Sequence, residues 1–335
     1  MNPVKRSQVQ HYDLLNLSED LKKFYVSEDK MKLAAKSKTN TGDTIVDVDV
    51  DEDDEKPRLC ATMIRDIYIN LRASEANAKK RPCIDYMQKV QKDITISMRK
   101  TVIDWLVDVA LVHELDSETL YLSVNYIDRY LSGNSINQEN LQLLGVACMM
   151  IASKYEETDP PSVQKFRKVT ANTYSEDEIL RMETTVLHCL KFQLTVPTVS
   201  SFLSRFVYVA KAVTRALPVE LECMSNYLAE LSLLDYSMLG YAPSQIAASS
   251  VFLARYILSP STRPWNSTLQ HYTLYRPSEL LECVRALHRL CCDDDNAVGE
   301  KYSHHKYMFV ANKYCPPFIP REYFQDKEAV KLCLR

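Results

Sequence analysis

The chain has 335 residues and 46% apolar content, enough for about two globular domains. A net charge of −3 gives no basic field of the size that nucleic acid demands, and no apolar run reaches membrane-spanning length. Only five glycines and long helix-period segments point to mainly α structure.

Residues 1–57 differ from the rest. Asp43–Glu55 carries eight acids and no base, a run that repels itself and stays solvated, so 1–57 reads as a disordered acidic segment. Residues 58–82 read as an N-terminal helix and linker, with Met63, Ile64, Ile67, Tyr68 and Leu71 as its apolar stripe. Further helices are predicted at about 95–114, 117–132, 138–156, 162–169 and 175–192. Ser117 is a start signal, Gly133-Asn134 a stop, and Pro160-Pro161 breaks the chain after the third of these helices. Ser175 and Glu178 have capping-box spacing.

Thr195–Pro197 then reads as a seam, after which the pattern repeats. Asn125-Tyr126-Ile127 returns as Asn226-Tyr227-Leu228, Ala152–Tyr155 as Leu253–Tyr256, and Glu178-Ile179-Leu180 as Glu279-Leu280-Leu281, all 101 residues on. The chain is therefore expected to hold two copies of one five-helix unit, at 83–194 and 196–315, and a tail at 316–335.

The stretch Met98–Tyr130 is apolar on nearly every helical face, as for a helix wrapped by others. Yet it contains Arg99, Asp104, Asp108, Asp128 and Arg129, charges that must be paired or must face a partner.

Ten cysteines are scattered without a C-x-x-C, so neither a zinc spacing nor a disulfide framework is visible. Cys148, Cys189, Cys223 and Cys283 sit in apolar helical runs and read as buried reduced thiols. Asp51–Glu55 falls in the expected disordered run and Asp293–Asp295 in a loop without a facing acidic helix, so both read as solvated charge. His188-Cys189 and His304-His305 are adjacent pairs that point different ways on a helix. No phosphate-binding Gly loop occurs, so the chain is not expected to be a kinase itself, and no catalytic residue, metal or cofactor is assigned.

Arg99, Val102, Trp105-Leu106, Leu115, Leu120, Ser123-Val124 and Ile127–Tyr130 match, in order and spacing, the cyclin-box signature. The resemblance continues through Leu141–Glu157, Arg181–Leu187 and Lys301–Pro317, and covers roughly 45–325. The text is most similar to A-class cyclins of plant type, on IVDVD at 45–49, VTANTY at 169–174 and RPWNSTLQHYT at 263–273.

The resemblance implies an all-α protein of two tandem five-helix cyclin-box folds. It also implies a non-catalytic subunit that activates a cyclin-dependent kinase and recruits its substrates in the S/G2/M phases, in the nucleus and partly the cytoplasm. Lys154 and Glu183, with Tyr155 and Glu156, match kinase-contacting positions. Arg99 and Asp128 match a structural pair that braces the first box helix against the second. Met98, Thr101, Val102, Trp105, Asp108, Leu141 and Gln142 match a groove for substrates or inhibitors with Arg-x-Leu-type motifs. Lys100, Thr101, Leu111 and Val112 depart from the family pattern there, with Thr101 polar in place of an apolar residue. No nucleic-acid or membrane partner is implied. Two alternatives are a cyclin-fold scaffold that does not activate a kinase, and a nucleic-acid-binding protein like transcription factors of the IIB type. Residues 58–335 carry a net charge of only about +1, little for phosphate contacts.

Overall fold

The computed structural model describes residues 61–326 apart from 215 and 293–295. The expected disordered segment 1–57, its acidic run and Asp293–Asp295 lie outside the described residues. Within them the regular structure is helical. Helix α1 spans Ala61–Glu75, and the short α2 spans Tyr86–Lys89. The first unit follows as α3 (Ile96–Val112), α4 (Ser117–Gly133), α5 (Leu141–Glu156), α6 (Val163–Val169) and α7 (Glu176–Cys189). Residues 193–198 are non-helical. The second unit is α8 (Val199–Ala212), α9 (Pro218–Leu234), α10 (Pro243–Leu258), α11 (Ser267–Thr273) and α12 (Pro277–Leu290), followed by α13 (Ala297–Tyr302). No helix among the described residues is long and apolar enough to cross a membrane.

The repeat is visible in the helix starts. Ser117 and Pro218 open α4 and α9, and Glu176 and Pro277 open α7 and α12, each pair 101 residues apart. Local signals set several ends. Ser175 caps α7 in a capping box with Glu178, and Thr95 caps α3 by accepting from the Met98 amide. Helix α4 starts at Ser117 as expected, with Asp116 as its cap. The aspartate carboxylate accepts from the Glu118 amide, which also suits the positive end of the helix.

The sequence pattern suggests α3 as the wrapped helix, but that place belongs to α5. Every residue from Leu143 to Ser153 is buried there, whereas Thr101, Asp108, Leu111 and Val112 leave α3 with an exposed face. Helix α10 has the same place in the second unit, buried from Ile246 to Ile257. Gly145 allows α3 to lie close on α5, since a Cβ there would meet Val102 Cγ1 at 3.0 Å.

Helix α1 packs on the second unit, far from it in sequence. Tyr68 is buried between Phe202 and Phe206 and donates its hydroxyl to the Thr273 carbonyl at 2.7 Å. Glu75 accepts from both the amide and the hydroxyl of Ser244. The expected apolar stripe is therefore only partly the buried face: Ile67 and Ile69 are exposed, while Tyr68 and Glu75 are buried. A docking surface that offers an acceptor, the Thr273 carbonyl, and donors, the Ser244 amide and hydroxyl, selects Tyr and Glu over aliphatic side chains.

The cysteines divide in the same way. Cys148 and Cys283 are buried, but Cys189 and Cys223 are only half-buried, and Cys83 and Cys292 are exposed. Cys148 is on the central α5, whereas Cys189 closes α7 at its outer end.

Candidate functional site: the Lys154–Glu183 face and the Trp105 strip

Lys154 follows directly on the buried run of α5, where the helix emerges at the end of the bundle. Helix α7 packs against this end and presents Glu183. The two side chains meet, with Lys154 Nζ 2.6 Å from Glu183 Oε1. The lysine is 47% exposed and the glutamate 12%. The lysine end of the pair is open to solvent, so turning Lys154 toward another protein's carbonyl or carboxylate costs little, while Glu183 stays largely covered by α7 and α5.

Tyr155 is exposed beside the pair, and its hydroxyl shares a 2.7 Å hydrogen bond with Thr195 Oγ1 at the seam. Glu156 is also exposed, and its carboxyl is raised by partial burial and by the charges of Asp116 and Glu157. One turn before Glu183, Leu180 is exposed and lines a shallow cleft with Asp177, Arg181 and Thr184. The face thus combines one ion pair, an aromatic ring and an aliphatic side chain, a mixture suited to protein contact.

The second group lies where α3 crosses α5. Met98, Val102 and Trp105 are half-buried along one strip of α3. Val102 touches α5 at Gly145, one turn from Leu141, which is buried, and Gln142, which is half-buried. Asp108 and Thr101 are exposed at the strip's edge. The Thr101 hydroxyl donates back to the Ser97 carbonyl at 3.0 Å. Lys100 is on the other side of α3. It lines a separate cleft of about 340 Å³ with Ile96, Ser97, Leu231, Leu234, Asp235, Tyr236, Leu290 and Asn296. Leu111 and Val112 are exposed at the end of α3.

Arg99, on the buried side of α3, and Asp128, on α4, are both fully buried. Arg99 Nε and Nη2 each donate to an Asp128 carboxylate oxygen at 2.7 Å. Tyr86 adds its hydroxyl to Asp128 Oδ1, also at 2.7 Å. Arg99 Nη1 then donates to the Leu233 carbonyl in the second unit at 3.0 Å. Burial opposes the guanidinium charge, but the carboxylate outweighs it and holds Arg99 more firmly protonated than usual. The same burial, with Asp128 beside it, pushes the Tyr86 phenol well up.

The other charges of this region are partnered as well. Asp104 accepts from the Ala297 amide at the start of α13, at 2.7 Å. Glu118 accepts from the Thr198 hydroxyl that caps α8. Arg129 donates to the Gln193 carbonyl. The sequence required partners for such charges, but these partners are 64 to 193 residues away and carry no local signal.

Residues 66–195 match the family described as "Cyclin, N-terminal domain", and residues 197–316 match "Cyclin, C-terminal domain". The chain belongs to the cyclin family. It is 58% identical over 274 residues to Cyclin-A1-1 of Arabidopsis thaliana, covering 81% of this chain and 59% of the relative. It is 53% identical over 316 residues to Cyclin-A1-3 of Oryza sativa subsp. japonica, covering 93% of this chain and 63% of the relative. The resemblance to A-type plant cyclins therefore holds, and the chain spans about three fifths of the length of these relatives. The fold is shared with a viral cyclin from herpesvirus saimiri, at a TM-score of 0.58 and 21% identity, covering 72% of this chain and 99% of that one.

Proposed function

We propose that this chain is a non-catalytic regulatory subunit that binds and activates a cyclin-dependent Ser/Thr kinase in S/G2/M control. The observation that carries this reading is the Lys154–Glu183 pair, joined at 2.6 Å on an accessible face beside Tyr155 and Leu180. A surface of this kind raises the population of a kinase's active state only by binding that state better than the inactive one. Lys154 and Glu183 supply charge-assisted hydrogen bonds to the kinase, and Tyr155, Glu156 and Leu180 flank them. The family role of holding the kinase's mobile helix inward completes the Lys–Glu pair on which phosphoryl transfer depends. The chemistry belongs to the kinase and its ATP.

The strip of Met98, Val102 and Trp105, beside Leu141 and Gln142, serves as the recruiting groove in the same reading. Trp105 supplies an apolar floor, Gln142 hydrogen-bonds an extended peptide, and Asp108 meets the cation of an Arg-x-Leu-type motif. The protein would act in the nucleus and partly in the cytoplasm, which a fluorescent fusion tests directly.

The decisive experiment titrates a purified cyclin-dependent kinase with this chain and with Lys154→Ala/Glu183→Ala, using a histone substrate. Saturable activation by the unaltered chain, and its large loss in the folded double variant, is the expected result. Absence of binding and activation across several such kinases would overturn the reading and leave a cyclin-fold scaffold.

A further inference from the structure

The end of α12 gathers three thiols and an imidazole, away from both surfaces described above. His288 lies in the last turn of α12, and Cys291 and Cys292 follow at i+3 and i+4, on the same side. Across from them, His288 Nε2 donates to the Pro316 carbonyl at 2.7 Å, which holds residues 315–316 against the helix end. Cys292 Sγ bonds back to the His288 carbonyl at 3.5 Å. The Cys315 thiol bonds to the Pro316 carbonyl at 3.9 Å, the same carbonyl that His288 holds, which brings it to the Cys291–Cys292 end of α12. Among the described residues, no group of three or more His, Cys, Asp or Glu side chains is arranged to hold a metal ion. The cluster is therefore considered for thiol chemistry.

Cys315, outside the helices, differs from the helical thiols. The neighbouring Cys291 thiol, followed by the nearby His288, outweighs burial and brings Cys315 down to about 7. Burial instead pushes Cys223 up to about 11 and Cys283 up to about 12. Both Cys315 and Cys291 are partly open to solvent, so a small oxidant can reach them.

We propose that Cys315 is a peroxide-reactive cysteine and Cys291 its resolving partner, so that oxidation ties the segment after the second unit to the end of α12. The oxidant is hydrogen peroxide. The Cys315 thiolate attacks one peroxide oxygen, the O–O bond breaks, and the leaving hydroxide takes a proton to become water. The Cys291 sulfur then attacks Cys315 sulfenic acid, the S–O bond breaks, and a second water leaves. Two thiols lose two electrons and two protons in total, and one peroxide is reduced to two waters. The disulfide adds a covalent link next to the His288–Pro316 contact. It is reversible by a dithiol reductant.

The test treats the full chain with equimolar hydrogen peroxide, blocks free thiols with N-ethylmaleimide, and maps non-reduced peptides by mass spectrometry. The expected result is a Cys291–Cys315 cross-link that dithiothreitol removes. Cys315→Ser abolishes it, and Cys291→Ser leaves a sulfenic acid on Cys315 that dimedone captures. Iodoacetamide at neutral pH is expected to label Cys315 about ten-fold faster than the exposed Cys83. Circular dichroism confirms that both variants are folded. Oxidation spread over Cys83 and Cys292 with no preference for Cys315 would overturn the proposal. A Cys292–Cys315 bridge, or over-oxidised Cys315 with Cys291 intact, would overturn the assigned pair.

Discussion

Arg99 and Asp128 form a two-pronged ion pair, both bonds at 2.7 Å, with side chains only 2% and 1% exposed. The pair does more than join α3 to α4. A third guanidinium nitrogen reaches the Leu233 carbonyl, so one buried cation ties both repeats together.

Asp128→Ala leaves that cation buried without its carboxylate and strands the Tyr86 hydroxyl, and should destabilise the fold by roughly 3–5 kcal/mol. Tyr86→Phe removes one hydrogen bond to a charged group and should cost less, roughly 1.5–3 kcal/mol. Urea unfolding of the three proteins checks both figures. An unchanged midpoint for Asp128→Ala would refute the bracing role.

Lys154 and Glu183 are the opposite case. The lysine is half-exposed and Glu183 keeps an edge open to water, so Lys154→Ala should change stability by about 1 kcal/mol, well below the loss for Asp128→Ala. Kinase activation should fall sharply in the same variant. A melting temperature that drops together with activity would mean that the residue acts through folding rather than contact.

Gly145 sets the spacing of α3 and α5, because its missing Cβ would lie 3.0 Å from Val102 Cγ1. Val102 is β-branched and yields little. Gly145→Val should therefore cost about 1–3 kcal/mol through overpacking, and adding Val102→Ala should recover part of it. Binding of an Arg-x-Leu peptide, measured by fluorescence anisotropy, should weaken in Gly145→Val, because Met98, Val102 and Trp105 move relative to Leu141 and Gln142.

Glu118 gives a pH signature. Burial raises its carboxyl above the ordinary 4.5, despite hydrogen bonds from Thr198 and Ser201 that act the other way. A carboxyl raised in the folded state binds its proton more tightly there than in the unfolded chain. Its contribution to stability is therefore full below the unfolded value and is lost as pH rises through the folded one. Glu118→Gln should flatten the stability profile just above pH 4.5, where the unaltered chain loses stability, and should not weaken the fold at neutral pH. Urea midpoints across that range test this, and parallel profiles for the two proteins would contradict it.

The sequence by itself determined the helices of the first unit and the repeat, while the candidate site residues came from its resemblance to the cyclin family. Apolar spacing places α4 to within a residue, the Ser175–Glu178 box starts α7, and the 101-residue offset returns in the helix starts. These are short-range properties, set by caps, periodicity and turn residues within a few positions. The charges on α3 and α4 also announced that they needed partners, since burying an unpaired charge is too costly.

Tertiary structure alone decided who those partners are. Nothing local to Asp104 names Ala297, nothing in Arg99 names Leu233, and nothing in α1 shows that Tyr68 rather than Ile67 is the buried face. It also turned Lys100 into a cleft separate from the Trp105 strip, and gave the central place to α5 rather than α3. Such choices depend on how two bundles and a helix from outside them fit together. That fit is a property of packed surfaces distant in the chain, which a one-dimensional pattern does not contain.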